Sequence, residues 1–455
     1  MKIKKFEGEL KDLLFYIRSY GMQNVPKNYQ NKINGNCKVD SHEFVKYVHK
    51  GFFLAQERII YLLEKIIEEK KKIKNELKIL NGNKTKENTE VNDFEKKLDL
   101  VEIQELIIRK VADSIAWQIL RNDITNIRRL YTGNNLIDIT NSNMQSCVSS
   151  VKKILDDNPL SMVLINDITT CIQIGDLLWF DYENNLFKIV ELKEGKVNNE
   201  IFGILDNYLK NGCDNYLQYE LMDKDKNYFK QFNRIIKQAN KNISAIDTIN
   251  TGKGKDLYTD YDVIVSKDEL VIDNFDERLI DLITKSYKKD FAIDIIEKCL
   301  YIGVYQESKV NSNNFDLWIK NIKNKSMIYD LRCSFTTPIA LPIFLLPLKE
   351  NDLIKITLGN TVIKMALDIG AFLELYKSMG GNYRWLSKTE TRKINSNSKK
   401  QNKILEINDC GIEMKSSNNI SYLGDGLLIR MFSMLICPKS IVKMLLEMDK
   451  FSIID

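Results

Sequence analysis

Histidine is almost absent from this chain: only His42 and His49 occur in 455 residues. That removes most Ser-His-Asp, Cys-His and histidine-metal chemistry from the routes open to it. No pair of cysteines has the C-x-x-C spacing. The eight cysteines, at positions 37, 147, 171, 213, 299, 333, 410 and 437, are scattered, so neither a zinc ribbon nor a thioredoxin-type redox site can be read, and reduced, mostly buried thiols are expected. No apolar run reaches the roughly 18 residues that a membrane span needs. The opening MKIKKFEGELKDLLFYIRSY is charged throughout and lacks a signal-peptide core, so a cytoplasmic protein without membrane contact is expected. The best apolar stretch, residues 339–348, is short, holds Pro342 and Pro347, and reads as a buried strand or strand pair. No ATP-binding motif is visible. TGKGKD, residues 251–256, lacks the spacing of a phosphate loop and reads as a flexible basic turn, so any motor would be a separate chain. The four tryptophans, at 117, 179, 318 and 385, are dispersed and read as core residues, not as a base-stacking platform.

What remains is globular in composition. Hydrophobic residues make up 44% and charged residues 28%, enough for a sizeable core, and the length predicts two or three domains. The 67 basic and 62 acidic residues leave a formal charge of +5, which permits a nucleic-acid partner without demanding one.

Apolar residues from Val45 to Ile73 recur mostly at three- and four-residue steps, which predicts a long helix over residues 41–80. The polar stretch NGNKTKENTEVND, 81–93, predicts a loop, and a second helix is expected over 94–131. At 1.5 Å per residue each helix spans roughly 55 to 60 Å, and together they suggest an antiparallel hairpin. Its Lys/Glu-rich tip, EEKKKIKNELK, reads as solvated helix surface. Strands are expected at 161–168, 173–180 and 186–193, the last two joined by a turn at 181–185, followed by helices at 200–209 and 226–241 and a strand at 261–265. An antiparallel hairpin combined with a helical crossover is an α+β arrangement. Beyond residue 266, helices at 278–300, 362–378 and 440–448, a β-like stretch at 329–357 and a polar break at 392–402 predict a mixed domain.

The segment GDLLWFDYENNLFKIVELKEG, residues 175–195, carries the chemistry. Alternation along a strand puts Glu191 and Lys193 on one side and Leu192 toward the core. Asp176 opens the preceding strand, and antiparallel pairing brings it toward that same side. Two carboxylates can hold Mg²⁺, which takes one or two protein carboxylates plus waters and phosphate oxygens, while Lys193 can orient an attacking water. Glu-x-Lys alone says little, because it recurs at Glu68/Lys70, Glu76/Lys78, Glu307/Lys309 and Glu413/Lys415. Glu413/Lys415, in LEINDCGIEMK, is the best internal decoy, but its nearest upstream Asp, Asp409, is too close for a hairpin. On the later helix FKQFNRIIKQ, Gln231 and Arg234 share a face, and Arg234 can grip a phosphate with two N–H groups.

Gly-Asp-Leu-Leu, a variable turn and Val-Glu-Leu-Lys together resemble the PD-(D/E)xK nuclease superfamily, the restriction-endonuclease-like fold, whose core runs helix, three strands, helix, strand. The resemblance covers roughly residues 100–265. It implies Asp176 and Glu191 as catalytic metal ligands and Lys193 as the catalytic lysine. It also implies an acidic residue on the first core helix, Asp113 in VADSIAWQIL or else Glu105, and an active-site polar residue, Gln231, with Arg234 and Lys196 binding substrate phosphates. Ile235 stands where one subgroup has Tyr four positions after the Gln. The implied cofactor is Mg²⁺, replaceable by Mn²⁺. The expected fold is α+β: a long N-terminal helical hairpin, a restriction-endonuclease-like αβββαβ core and a mixed C-terminal domain, divided at 1–93, 94–270 and 271–455. The expected activity is hydrolysis of DNA phosphodiester bonds by a metal-dependent endonuclease in prokaryotic defence, with RNA as the alternative substrate. Homo-oligomerisation through the hairpin and a separate motor or sensor subunit are further expectations. The competing reading is a non-catalytic helical-hairpin interaction or scaffold protein.

Overall fold

Three- and four-residue apolar spacing produces the helix Ser41–Gly82, 42 residues long, which buries Phe52, Ala55, Ile59, Leu63 and Ile66 along one stripe. In the computed structural model, residues 1–26, 41–82, 88–192, 195–257, 262–264, 272–322, 326–397, 404–415 and 420–447 are described. The second long helix is Asn88–Ile119 and stops short of residue 131. Arg121 and Asn122 adopt φ of 61° and 56°, which no right-handed helix can pass through. A separate helix, Ile124–Leu130, restarts behind Asp123, whose carboxylate accepts from Thr125 N–H at 2.7 Å. Lys70 meets Glu105 at 2.9 Å and Lys74 meets Glu102 at 3.2 Å, so the two long helices run antiparallel where these pairs form. Part of the Lys/Glu-rich tip is thereby spent on interhelical ion pairs.

The chain divides into two compact units assembled from non-contiguous stretches, where the sequence suggested contiguous domains. The larger is Met1–Ser19, Lys65–Gln118 and Ser266–Asp455, and the smaller is Tyr20–Glu64 and Ile119–Val265. In the smaller unit the helix Met144–Asp157 leads into β1 (Met162–Ile165), β2 (Leu177–Asp181) and β3 (Leu186–Val190), an antiparallel sheet in the order β1-β2-β3. The hairpin turn expected at 181–185 is present: Asp181 pairs with Leu186 in register, and its carboxylate accepts from Lys188 at 2.7 Å and from Asn184 at 2.9 Å. Those donors, Lys188 first, pull the Asp181 carboxyl down to about 2. Edge strand β1 is covered by Gln56, which donates to Val163 O at 2.9 Å and accepts from Ile165 N–H at 2.8 Å.

After β3 come the helices Lys196–Asn211, Asp214–Leu221 and Lys226–Thr251, then β4 (Lys253–Lys255) and β5 (Asp262–Ile264). Two expectations are corrected here. The stretch at 251–256 holds a strand, because β4 pairs with β5, and a Cβ at Gly254 would collide with the Thr248 side chain. The strand expected at 261–265 therefore joins β4 in a two-stranded ribbon and does not extend β1-β2-β3.

In the larger unit β6 (Phe291–Ile296), β7 (Leu300–Gln306), β8 (Ser326–Asp330) and β9 (Thr361–Asp368) form an antiparallel sheet ordered β6-β7-β9-β8. Residues 278–300, expected as one helix, are the helix Asp276–Lys289 followed by β6. Residues 362–378 are β9 and the helix Ile369–Ser378. The β-like stretch 329–357 is the end of β8, two 3₁₀ turns and the helix Glu350–Thr357, and 339–348 contains a 3₁₀ turn, Ile343–Leu345, in place of a strand. The polar break is helical as far as Asn397 and otherwise falls outside the described residues. A small sheet, β10 (Asn382–Trp385), β11 (Ile412–Lys415) and β12 (Ile420–Tyr422), and the helix Pro438–Glu447 complete the unit. Cys147, Cys171 and Cys299 are buried thiols, whereas Cys213 and Cys333 are exposed, and Cys37 lies outside the described residues.

His49 gives the smaller unit a measurable acid sensitivity. The ring is 3% exposed and neither nitrogen has a well-formed hydrogen bond among the described residues. Burial lowers its pKa to about 4, against a weaker opposing effect of the Ser161 backbone. The folded state therefore holds a neutral ring that the unfolded chain protonates near 6.5. Its stabilising contribution is complete above about pH 6.5 and is lost as pH falls toward 4, on the order of 3 kcal/mol in all. Urea unfolding at pH 7.5 and 4.5 should show that loss in the wild type, and His49→Gln should flatten the difference between the two.

Candidate functional site

Gly175 fixes the entry to β2. Its φ is +65°, and a Cβ there would run into the Ile189 side chain, so only glycine lets the chain turn this close to β3. Asp176 follows, and its N–H donates to Val190 O at 3.0 Å. The last pair of the hairpin ladder is Leu177 opposite Val190, so Asp176 and Glu191 are the residues just outside the paired register, one before β2 and one after β3. The Asp176 carboxylate accepts from Leu192 N–H, closing the end of the ladder. Asp176 and Glu191 thus flank the same end of the β2-β3 hairpin, and the strand expected over 186–193 stops at Val190, so Glu191 lies beyond it.

Glu191 is held from the other side. Its Oε1 accepts from Gln238 Nε2 and from Asn242 Nδ2, both at 2.8 Å. These amides stand four residues apart on Lys226–Thr251, one turn of the same face. Further along, Asn250 exchanges hydrogen bonds with Phe187 N–H and O, both at 3.3 Å. Four strand residues cover about 13 Å and eight helical residues about 12 Å. The matched lengths let the helix lie along β3, with Asn250 bonding the strand backbone at Phe187 and Gln238 and Asn242 bonding the Glu191 side chain just beyond its end.

Gln238 and Asn242 are neutral amides, so what they supply is orientation of the carboxylate. The decoy Glu413 differs. It is 4% exposed and accepts from Arg384 Nε at 2.8 Å and Nη2 at 2.7 Å, with Lys415 at 3.5 Å. The Arg384 guanidinium holds the Glu413 carboxyl below its usual range, and Asp409 is taken by Lys388 at 2.8 Å. Glu-x-Lys there is a structural ion-pair network on β11.

The remaining sequence-predicted residues fare unequally. Lys193 lies outside the described residues. Gln231 donates to Asn198 Oδ1 at 2.8 Å, joining the helices Lys196–Asn211 and Lys226–Thr251, and the contact with Glu191 falls two turns later, to Gln238. Arg234 and Lys196 are exposed, Lys196 as the first residue of its helix. Asp113 belongs to the larger unit, is fully buried, and pairs with the equally buried Lys110 at 2.9 Å. Glu105, the alternative, accepts from Arg109 at 3.1 Å and Lys70 at 2.9 Å. Each carboxylate is thus engaged within its own unit, Asp113 by Lys110 and Glu105 by Arg109 and Lys70. Among the described residues no group of three or more His, Cys, Asp or Glu side chains converges as a metal cluster. A donor set of two carboxylates, with the remaining positions left to water and phosphate oxygen, still suits Mg²⁺.

Sequence reasoning missed Gln238, Asn242 and Asn250. Their signal was available: amides at positions 238 and 242 lie in phase with Gln231, beside the apolar stripe Tyr228, Phe232 and Ile235 that packs on Ile201 and Ile204. No family model, no curated protein and no solved structure matches the chain.

Proposed function

We propose that this chain is a divalent-metal-dependent nuclease that hydrolyses DNA phosphodiester bonds by restriction-endonuclease-like chemistry, in prokaryotic defence against foreign DNA. The observation that supports it is the placement of Asp176 and Glu191 just outside the last pair of adjacent strands, Leu177 and Val190, with Glu191 gripped by Gln238 and Asn242. The four-residue spacing that Gln231 and Ile235 fail to supply is supplied there, with Asn in the second position. Asp176 and Glu191 would hold Mg²⁺ or Mn²⁺ between them. When bound, that ion supplies a water of lowered pKa and offsets charge on the scissile phosphate. Gln238 and Asn242 fix the Glu191 carboxylate before substrate arrives, so no reorganisation is needed at the moment of reaction. Lys193, two residues beyond Glu191, keeps the assigned role of an ammonium that orients the attacking water.

The test is cleavage of plasmid, linear duplex and single-stranded DNA, and of RNA, by the full chain. Cleavage in Mg²⁺ should cease with EDTA and return with Mn²⁺, whereas cutting that ignores chelation would refute the metal reading. A second reading, a non-catalytic interaction protein, is favoured by the exposure of Leu209, Tyr219 and Met222, at 81%, 77% and 80%. It is selected if no nucleic acid is cut under any metal.

A further inference from the structure

The helix that grips Glu191 carries a second feature. Over residues 226–246 five basic residues occur and no acidic one, in a chain whose charges otherwise nearly balance. Four of them, Lys230, Arg234, Lys237 and Lys241, share one open face of this helix with Asn233 and Gln238. At 100° per residue the four cations fall within an arc of about 60°, next to the amide face and away from the buried Tyr228, Phe232 and Ile235.

Some helical lysines elsewhere are matched by acids one turn away, as Lys210 is by Asp206 at 2.6 Å and Lys285 by Asp281 at 2.5 Å. Among the described residues none of the four makes an ion pair. Burial, then the charge of Lys237, lowers the pKa of Lys241. An uncompensated row of like charges on one rigid helix costs stability that an anionic partner would restore.

We infer that Lys230, Arg234, Lys237 and Lys241 form a track for the phosphate backbone of one polynucleotide strand, leading along this helix face to Gln238 and the Glu191 that it holds. The row is about 16 Å long, eleven residues at 1.5 Å each. One strand of a duplex presents about five phosphates over that length. A membrane surface fits less well, because no apolar side chain lines this face and the exposed apolar residues of the same helix, Phe229 and Ile243, fall outside the arc of the cations, whereas an interfacial helix needs its apolar face beside them. Contacts of this kind read charge and not base identity, so the track binds without metal and without sequence preference.

The inference rests on the nuclease reading for its direction toward Glu191, but binding can be measured apart from cutting. Fluorescence anisotropy of the full chain with a labelled mixed-sequence oligonucleotide of about 20 bases, single- and double-stranded, in EDTA, gives log K against log salt; a phosphate contact contributes about −0.7 to the slope for a single strand and −0.9 for a duplex. Changing the four cations to Gln should flatten that slope by about three and weaken binding roughly 30-fold or more at low salt. Lys288→Gln with Lys289→Gln, exposed in the larger unit, should change neither. Equal slopes for the wild type and the fourfold variant, with circular dichroism showing both folded, would overturn the track. So would row-dependent binding to phosphatidylserine vesicles with none to oligonucleotide. Loss of binding in a protein that cuts nothing would retain the track and remove the nuclease. Metal-dependent cutting with binding indifferent to the row would do the reverse.

Discussion

Glu191→Gln is expected to lower Mg²⁺-dependent cleavage by about 10³-fold or more, some 4 kcal/mol of transition-state stabilisation, while the melting transition stays close to that of the wild type. The substitution is nearly isosteric, and its amide oxygen can still accept from Gln238 and Asn242, which donate to Glu191 at 2.8 Å each. What disappears is one of the two charges able to hold a cation. Asp176→Asn should behave alike, with a small added cost because Leu192 N–H loses a charged acceptor. Gln238→Leu separates positioning from ligation. The carboxylate remains but is less firmly aimed, so the metal concentration for half-maximal activity should rise more than the maximal rate falls. Single-turnover cleavage over a Mg²⁺ titration reads all three. A Glu191→Gln enzyme cutting at the wild-type rate would remove this hairpin from the chemistry.

The hairpin was legible because its signals are local. Gly175 before Asp176, alternation through Leu177 to Asp181, the turn and the return to Glu191 lie within one short stretch, and β2 pairs with β3 in the register that the turn length sets. The partner of Glu191 was legible only in kind. A polar residue on the following helix was expected, and Gln231 met the spacing first, but the helix runs on to Thr251. Asn250 on Phe187 sets where it docks, which puts Gln238, two turns later, at the carboxylate. Such a docking register depends on tertiary fit and has no sequence period.

The larger unit misled for a different reason. All eight residues of β9 are buried, between β7 and β8, so TVIKMALD shows no alternation and reads as readily as a buried helix. Even its lysine is absorbed, Lys364 pairing with Asp316 at 2.6 Å. The opposite error occurred at 339–348, where an apolar run suggested a strand. Its two prolines leave too few N–H groups for a ladder, and the chain turns instead at Ile343–Leu345. A buried charge is equally ambiguous in sequence, since an acid among apolar residues looks the same whether it waits for a metal or for a lysine.

Asp113→Ala resolves that ambiguity, and its expected effect is on stability: a loss of about 3 to 5 kcal/mol. Lys110 is 1% exposed, and its ammonium reaches Asp113 at 2.9 Å, Thr337 O at 2.9 Å and Pro338 O at 3.1 Å. Two carbonyls satisfy hydrogen bonds but do not balance the charge, so removing the carboxylate strands a cation in the core. The pair itself is not required for folding, because two buried ions are costly to desolvate. Lys110→Met combined with Asp113→Leu should recover much of what Asp113→Ala loses, and the double-mutant cycle should return a large favourable coupling between the two side chains. Urea unfolding measures each step, with cleavage followed on the same samples. Should Asp113→Ala unfold like the wild type yet cut nothing, Asp113 would instead take the catalytic place that the motif first suggested for it, and Lys110 would be its modulator.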